Sequence, residues 1–411
     1  MKNTLLLTAL ILSVAVSFLF SPAPLTPDEF WGRYVRTGEK TGFVLNGDSY
    51  GYIQSAEHPD RLLQQNEERQ SRPLYVLLGT AVGYPLRAVL PSVVPEADVA
   101  WVVGPDLPIP IRSLIGFYPA FVLLNFVVLL AALALFVRLY QSLTGTVPDR
   151  IVLSCLLVFL VSSPILKAFF WTAHQQMFCF FTPLFCLALL RYLRWHQFST
   201  GQWLRAALVL GVLPLLYGNF VLVLPTLFYA LWRPSTRKVG FAWLLLALGV
   251  TVLFLLPTAG WVLLLKLNGV TYYNHEMARF HQLVWIVEGL QGSPVEFWTE
   301  VKSNFFEFLS TLSGIQVLLV ATPLLWLYSW KRGKKHPPLV ADALFLLLLF
   351  AGFLLVLGYY NERLTFTLQP LLLCLAAAAL PRFRLSWQRL GLLVSAISWH
   401  LYQVLSYGPF S

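Results

Sequence analysis

Apolar segments recur along almost the whole chain, and this feature limits the possible folds more than any other. Most of them approach the roughly 20 residues that a helix needs to cross a bilayer. Hydrophobic residues make up 57% of the 411 positions, and charged residues only 12%. Such a chain has too little polar surface to cover a water-soluble core. Because helices satisfy their own backbone hydrogen bonds in lipid, the sequence predicts an all-α polytopic membrane protein.

The apolar segments predict about eleven transmembrane helices in a single domain, 1–411. The expected spans cover residues 3–20, 113–137, 151–166, 177–192, 203–217, 219–232, 239–265, 308–330, 339–358, 364–380 and 390–406. The first is expected to remain as an uncleaved helix, because no clear small-residue cleavage site follows it. Two large extracytoplasmic loops result, at 21–112 and 266–307. The first loop is expected to carry short surface-lying helices.

The apolar segment 74–95 is expected to lie on the membrane surface or to re-enter it rather than to cross. It contains Gly83, Pro85 and Arg87 as well as two further prolines, and such residues interrupt a regular span. A surface-lying segment also keeps the basic cluster KRGKK on the cytoplasmic side. If 74–95 crossed the membrane, every later loop would be inverted.

Charge placement predicts the topology. Sixteen basic residues lie on one side of the predicted bilayer: Lys2, Arg138, Arg150, Arg191, Arg194, Arg205, Arg233, Arg237, Lys238, Lys331, Arg332, Lys334, Lys335, Arg382, Arg384 and Arg389. Only Asp149 and Asp342 are acidic there. Basic loops mark the cytoplasmic face, so we expect a plasma (inner) membrane protein with a cytoplasmic N-terminus and an extracytoplasmic C-terminus. The net charge of +10 therefore fits a lipid bilayer as partner and no nucleic acid.

The polar stretch 46–74 concentrates charge that the rest of the chain lacks. Its Gly47-Asp48-Ser49 segment is typical of a turn followed by a helix start, with Asp48 or Ser49 as the capping residue of a helix over 50–57. Pro59 should end that helix. Two interpretations of Asp48 stay open: a helix cap alone, or a reactive carboxylate.

In layout the chain resembles the C-type membrane glycosyltransferase superfamily, which includes protein O-mannosyltransferases and the oligosaccharyltransferase catalytic subunit. Two pieces carry the likeness: GDSYGYIQSAE followed by RQSRPLY at 69–75, and NERLTFTLQPLLLCLAAAAL at 361–380. The resemblance implies an inverting enzyme that uses a polyprenyl-phosphate-linked sugar donor. It also implies a glycan, lipid or protein acceptor at the extracytoplasmic face.

Two aspartates compete for the catalytic base that the resemblance implies. Many members of the superfamily carry their acid just after the first span as an Asp-Glu pair, and this chain has Asp28 followed by Glu29. Asp48 is favoured, because Gly47 and Ser49 shape a turn that can present its carboxylate. The base would accept a proton from the acceptor hydroxyl.

Cationic side chains should stabilise the phosphate leaving group. The candidates on the extracytoplasmic side are Arg69, Arg72, Lys167, Arg279 and Arg363. Arg363 is the strongest, because it lies at the mouth of a predicted span. The alternative is that Arg363 anchors the chain at the interface in an ion pair with Glu362, which is itself a substrate-binding candidate.

Further polar candidates lie among aromatic residues. His174 and Gln175 could hydrogen-bond a sugar on which Trp171 stacks, although an ordinary aromatic belt with a polar turn explains the same residues. The sequence of the second loop, TYYNHEMARFHQ, lacks the zinc-ligand spacing of two histidines four residues apart. We expect that loop to cover an acceptor site. No cofactor and no metal ligands are predicted, although a divalent metal is compatible with the sequence.

Two other classes of function remain. A transporter or flippase of lipid-linked glycans should place charged residues inside its spans, and here the predicted spans are nearly free of charge. A non-catalytic subunit of an envelope-glycan assembly complex is also compatible with the sequence. A phosphate-binding loop for ATP is missing from the sequence, which disfavours ATP-driven chemistry.

Overall fold

The structure is a computed structural model, and it describes residues 2–20, 33–103, 109–145, 149–232, 240–331, 333, 336–380 and 386–406. Within those ranges the chain forms helices and one two-stranded sheet. The predicted all-α class is therefore confirmed in outline. Asp28, the second candidate base, lies outside the described residues.

The helices follow one another with short connections. Their bounds are α1 Lys2–Ser17, α2 Gly47–Glu57, α3 Pro73–Val89, α4 Glu96–Val103, α5 Ile111–Thr144, α6 Arg150–Val161, α7 Pro164–Phe169, α8 Phe178–Trp195, α9 Thr200–Leu210, α10 Val223–Trp232, α11 Phe241–Leu267, α12 His275–Phe280, α13 Val284–Gln291, α14 Pro294–Ser310, α15 Gln316–Lys331, α16 Leu339–Leu357, α17 Glu362–Thr365, α18 Gln369–Ala379 and α19 Ser386–Leu405.

A small β-hairpin precedes α2, and the sequence analysis did not predict it. Strand β1 (Arg33–Arg36) pairs antiparallel with β2 (Gly42–Leu45), so that Arg33 lies opposite Leu45. Val35 and Leu45 are both buried. Because Leu45 is followed directly by the cap of α2, the hairpin fixes where that helix begins.

Six helical stretches are long and apolar enough to cross a membrane. They are Pro73–Ser92, Ile111–Thr144, Gln175–Trp195, Phe241–Leu267, Pro294–Lys331 and Leu339–Leu357, and shorter apolar helices cover Thr4–Phe20, Arg150–Val161 and Gly218–Trp232. All of these stretches lie within the residues that the structure describes. They support a membrane protein, but they do not confirm eleven spans. The expected span at 203–217 is interrupted, because α9 ends at Leu210.

Helix α5 is the longest helix and organises its neighbours. Its 34 residues correspond to about 51 Å, which exceeds the roughly 30 Å hydrocarbon core of a bilayer. It packs against α1, α2, α3, α8, α16 and α18. From its middle, the buried Asn125 amide donates to the carbonyl oxygens of Phe169, Phe170 and Thr172 at 3.2, 3.0 and 2.8 Å. Helix α5 therefore fixes the connector between α7 and α8.

Helix α3 runs antiparallel beside the first turns of α5. The Tyr75 ring lies 5.1 Å from the Phe121 ring, and the Tyr84 ring lies 5.3 Å from the Phe117 ring. Gly79 lies between these contacts, and a β-carbon added there would come within 2.2 Å of the Phe121 ring. The close approach of the two helices therefore requires glycine at this position.

The bundle has two distinct ends. At one end, Arg389 at the start of α19 pairs with Asp149 at 3.0 Å, and Arg194 near the end of α8 pairs with Asp342. At the other end, His400 near the end of α19 contacts Ser162, which follows α6, at 2.5 Å. The α7–α8 connector belongs to this second end, because it follows directly after α6.

Replacing Gly79 with Ala should destabilise the protein by about 1–3 kcal/mol, the usual cost of overpacking a close contact. The added methyl group would overlap the Phe121 ring, so α3 and α5 would have to separate. The matched control is Gly260→Ala in α11, where a β-carbon meets nothing within 4 Å and better helix propensity should stabilise slightly. Thermal unfolding of the purified variants measures both changes. Equal midpoints for the two variants would contradict this account of the packing.

Candidate functional site

The start of α2 presents Asp48 without using it as a cap. The side-chain oxygen of Asn46 accepts hydrogen bonds from the Ser49 N–H at 3.0 Å and from the Ser49 hydroxyl at 2.8 Å. The prediction that Asp48 or Ser49 caps this helix is therefore wrong. The Ser49 hydroxyl also accepts from the Ala173 N–H at 3.2 Å, which ties α2 to the α7–α8 connector. The Asp48 carboxylate remains available for other contacts.

Two side chains hold the Asp48 carboxylate. One of its oxygens lies 2.8 Å from an Arg69 guanidinium nitrogen, and the other lies 3.2 Å from His174 Nε2. A carboxylate offers about four lone-pair positions, so two remain for a further partner. About a third of the side chain, 36%, stays accessible. Asp48 is thus fixed in position but still open on one side.

His174 is held as a neutral hydrogen-bond donor. Its Nδ1 accepts from the Gln176 backbone N–H at 3.1 Å, so the proton of the neutral ring lies on Nε2 and points at Asp48. The ring is 3% exposed and lies 4.9 Å from the Phe169 ring. Burial lowers the pKa of His174 to about 4. His174 therefore positions Asp48 and carries no charge at neutral pH.

Asp48 is ionised at neutral pH. Burial alone would raise the pKa of its carboxyl group, but the hydrogen bond from His174 and the positive charges of Arg69 and Arg363 hold that pKa well below its usual range. Asp48 therefore carries a negative charge at the start of α2. An aspartate in the first turn of a helix also interacts favourably with the helix dipole.

Arg69 reaches Asp48 because the chain leaves room for it. The residue is 5% exposed, and its guanidinium lies over the Tyr52 ring at 4.3 Å. A β-carbon at Gly51 would lie only 2.8 Å from the same guanidinium. Gly51 thus leaves space for the Arg69 guanidinium, which packs against the Tyr52 ring.

Arg72 connects this cluster to the second large loop. Its guanidinium pairs with Glu276 of α12, and it also donates to the Tyr52 hydroxyl at 3.3 Å. Beside it, His275 lies 3.4 Å from Glu68. Helix α12 of the second large loop therefore lies directly against the polar stretch 46–74.

Arg363 adds a cation with unused donor capacity. Its charge contributes to the low pKa of both Asp48 and His174, and the Gln176 side chain donates to its carbonyl oxygen at 3.1 Å. Its Nε is buried and has no hydrogen-bond partner among the described residues. Glu362 accepts from Ser313. In the described part of the chain, no ion pair joins Glu362 to Arg363.

Two residues in contact with this cluster or next to it in sequence, Tyr75 and Gln175, also carry a buried polar atom without a hydrogen-bond partner among the described residues. These atoms are the Tyr75 hydroxyl and the Gln175 side-chain oxygen. The Tyr75 ring lies 5.1 Å from the Tyr52 ring, and Gln175 follows His174 directly. Unpaired buried groups are uncommon, and water or a ligand commonly satisfies them.

Three other predicted residues have partners elsewhere. Lys167 donates to the carbonyl oxygens at the end of α19, at 3.3 Å to that of Gln403. The exposed Arg279 lies over its neighbour Phe280, 5.8 Å from the ring centre. The Trp171 indole donates to the Ala15 carbonyl at 3.0 Å. The structure therefore brings together Asp48, Arg69, Arg72, His174 and Arg363, but not Lys167 or Arg279.

Sequence reasoning did not identify Tyr52, whose ring lies under the Arg69 guanidinium and whose hydroxyl accepts from Arg72. It also treated Glu276 only as part of a covering loop. One usable signal was the Gly51-Tyr52 pair, because a glycine beside an aromatic residue allows a long cation to lie flat. Glu276 gave no such signal, since more than two hundred residues separate it from Arg72.

No metal centre is found within the described ranges, where no group of three or more His, Cys, Asp or Glu side chains could hold an ion. Comparisons with known proteins identify no relative: no family model, no curated protein and no solved structure matches the chain. The glycosyltransferase resemblance therefore remains an expectation from the sequence.

Acid should destabilise the fold through His174. Its pKa is about 4 in the folded protein and near the ordinary 6.5 when unfolded, so between these values the unfolded chain binds more protons. Stability should fall as the pH drops from 6.5 towards 4, by about 3 kcal/mol in total. Thermal unfolding across this range should show a shallower slope in His174→Asn than in the wild type.

The matched control is His58→Gln, because the His58 side chain is 64% exposed. That variant should keep the wild-type slope. A wild-type slope in His174→Asn would contradict the assignment of a buried neutral ring. The loss of stability that follows protonation of Asp48 should occur separately, at lower pH. Its carboxyl group stays ionised until the pH falls well below the usual aspartate range.

Proposed function

We propose that the chain is a membrane glycosyltransferase that moves a sugar from a polyprenyl-phosphate donor to an envelope glycan, lipid or protein acceptor. One observation supports this most directly. Asp48 is accessible and ionised, and the charge of Arg363 acts on it strongly enough to lower its pKa. The buried Nε of Arg363 has no hydrogen-bond partner among the described residues. A negative group that can take a proton is thus combined with a positive group that can bind a phosphate.

Asp48 acts as the general base in this proposal. The acceptor hydroxyl attacks the anomeric carbon, the new C–O bond forms, and the hydroxyl proton passes to the open side of the Asp48 carboxylate. A carboxylate of low pKa is a weak base, but the hydroxyl becomes strongly acidic as its oxygen bonds to carbon. The transfer therefore occurs late, and the other contacts of Asp48 hold it in place.

Arg363 takes the leaving group. As the bond between the anomeric carbon and the phosphate oxygen breaks, its electron pair stays on the oxygen and adds negative charge to the polyprenyl phosphate. A guanidinium binds phosphate through parallel N–H donors, which a lysine cannot reproduce. Arg69 and Arg72 already have carboxylate partners in Asp48 and Glu276, so Arg363 is the cation left for this role. Attack opposite to the leaving phosphate inverts the anomeric carbon.

The packing supports a place for the site at a membrane boundary. The α7–α8 connector, which carries His174, lies at the opposite end of the bundle from the ion pairs of Arg194 and Arg389. Because Arg194 and Arg389 belong to the predicted cytoplasmic side, the connector belongs to the predicted extracytoplasmic end, where a lipid-linked donor could present its phosphate.

The two alternative functions are less well supported. A transporter or flippase needs a polar path between both faces, whereas the polar cluster lies at one end of the bundle. A non-catalytic subunit has no need for an accessible ionised carboxylate beside a cation with unused donors. The two substitutions below distinguish both alternatives from a transferase.

Replacing Asp48 with Asn should lower transferase activity at least about a hundredfold, the usual effect of losing a positioned base. The amide keeps the size of the side chain and can still accept from Arg69, but it cannot take a proton. Activity is measured as incorporation of label from a polyprenyl-phosphate-linked hexose into acceptors in membranes that contain the protein at matched levels.

The matched control is Asp60→Asn, an exposed aspartate in the same polar stretch, which should keep wild-type activity. Asp28→Asn is measured in parallel, because that aspartate is the other candidate base. If Asp48→Asn retains full activity while Asp28→Asn loses it, Asp28 is the base. Full activity in both variants would exclude this mechanism.

Replacing Arg363 with Ala should weaken binding of farnesyl phosphate, a short polyprenyl phosphate, by roughly ten- to a hundredfold. That range corresponds to about 1.5–3 kcal/mol for a charge-assisted hydrogen bond. Arg363→Lys should recover only part of the affinity, because lysine lacks the planar fork. Equilibrium binding to the purified protein measures the change, with farnesol as the ligand that lacks the phosphate.

Arg279→Ala serves as the matched control, because Arg279 is an exposed arginine that lies outside the cluster. It should bind farnesyl phosphate as the wild type does. Unchanged affinity in Arg363→Ala would instead favour the interface-anchor interpretation of this residue.

A further inference from the structure

A cavity lies between α5 and α8, at the end of the bundle away from Asp48. Its volume is about 460 Å³, within the range of small-molecule sites. Arg138 on α5 lies 13 residues beyond Asn125, or about 20 Å further along the helix axis. The cavity is therefore separate from the proposed transferase site.

The residues that line this cavity follow from helical spacing. They are Leu135, Arg138 and Leu139 on α5, together with Ala188, Arg191, Tyr192, Trp195 and His196 at the end of α8. Positions three, four and seven apart share one face of a helix. Both helices run toward the same end of the bundle, so Leu135 and Ala188 lie deeper than Arg191 and Trp195. The cavity is apolar at its inner end and basic and aromatic at its mouth.

The two arginines of the cavity carry uncompensated charge. Neither the Arg138 side chain nor the Arg191 side chain makes an ion pair or hydrogen bond with any residue in the described ranges. The acidic side chains nearby are already engaged, since Asp342 pairs with Arg194 and Asp149 pairs with Arg389. The mouth of the cavity therefore attracts an anion that comes from outside the chain.

We propose that this cavity binds an anionic phospholipid, with its phosphate between Arg138 and Arg191 and an acyl chain against Leu135 and Ala188. Basic pockets between membrane helices suit anionic headgroups. Trp195 is 77% exposed and Tyr192 is 52% exposed, and these residue types favour the boundary between lipid and water. A free phosphate compound would use the arginines but not the apolar inner wall. The proposal does not depend on the transferase activity.

The test measures binding of phosphatidylglycerol to the purified full-length protein in detergent by native mass spectrometry. Phosphatidylcholine with the same acyl chains is the zwitterionic comparison, and phosphatidylglycerol should bind more tightly. Each arginine near an anionic lipid contributes about fivefold. The double variant R138Q/R191Q should therefore bind phosphatidylglycerol about 30-fold more weakly.

The matched control is Arg205→Gln, an exposed arginine of α9 that does not line the cavity, and it should bind like the wild type. If the double variant does not fold, the single variants should each lose about fivefold. Equal affinity for the two lipids, or unchanged binding in the arginine variants, would overturn the proposal. Competition by glycerol 3-phosphate as strong as by the lipid would also overturn it, because the site would then recognise a free phosphate ester.

Discussion

One buried amide determines where the polar site forms. Asn125 lies in the middle of α5, and its side chain donates to three carbonyl oxygens of the α7–α8 connector. Irregular backbone at the depth of a membrane is tolerated only where protein groups satisfy it. This contact lets the chain leave helical geometry between Phe169 and His174, so that the His174 ring can turn toward Asp48. Without a donor at this position, the connector would expose carbonyl groups to an apolar environment.

The connector then fixes α2 through two contacts. The Ala173 N–H donates to the Ser49 hydroxyl, and His174 Nε2 donates to Asp48. Because Asn46 already caps the helix, the Asp48 carboxylate is free to face Arg69 on one side and His174 on the other. A side chain held from two directions loses little further entropy when a ligand arrives, which favours a preorganised site.

The sequence indicated the location of the cluster better than its contacts. The concentration of charge in 46–74 and the mouth of the span at Arg363 both pointed to residues that the structure brings together. The predicted capping residue of α2 was wrong. Asn46 and Asp48 are both good capping residues, and only the hairpin before them decides which one occupies the cap position. The partners of Arg72 and Lys167 could not be predicted, because they depend on the contacts of α12 and α19, which are distant in sequence. The predicted number of eleven spans is not confirmed, because apolar segments such as 203–217 are divided into shorter helices.

Charge balance decides which ligands suit the cluster around Asp48. Three arginines, Arg69, Arg72 and Arg363, face three carboxylates, Asp48, Glu68 and Glu276, and His174 adds no charge because burial keeps its pKa near 4. The cluster is therefore close to neutral, in surroundings where charges interact more strongly than in water. A cationic ligand would have to compete with the guanidinium groups for Asp48. An anionic ligand instead meets Arg363, whose buried Nε has no hydrogen-bond partner among the described residues, while the accessible Asp48 carboxylate stays available to take a proton.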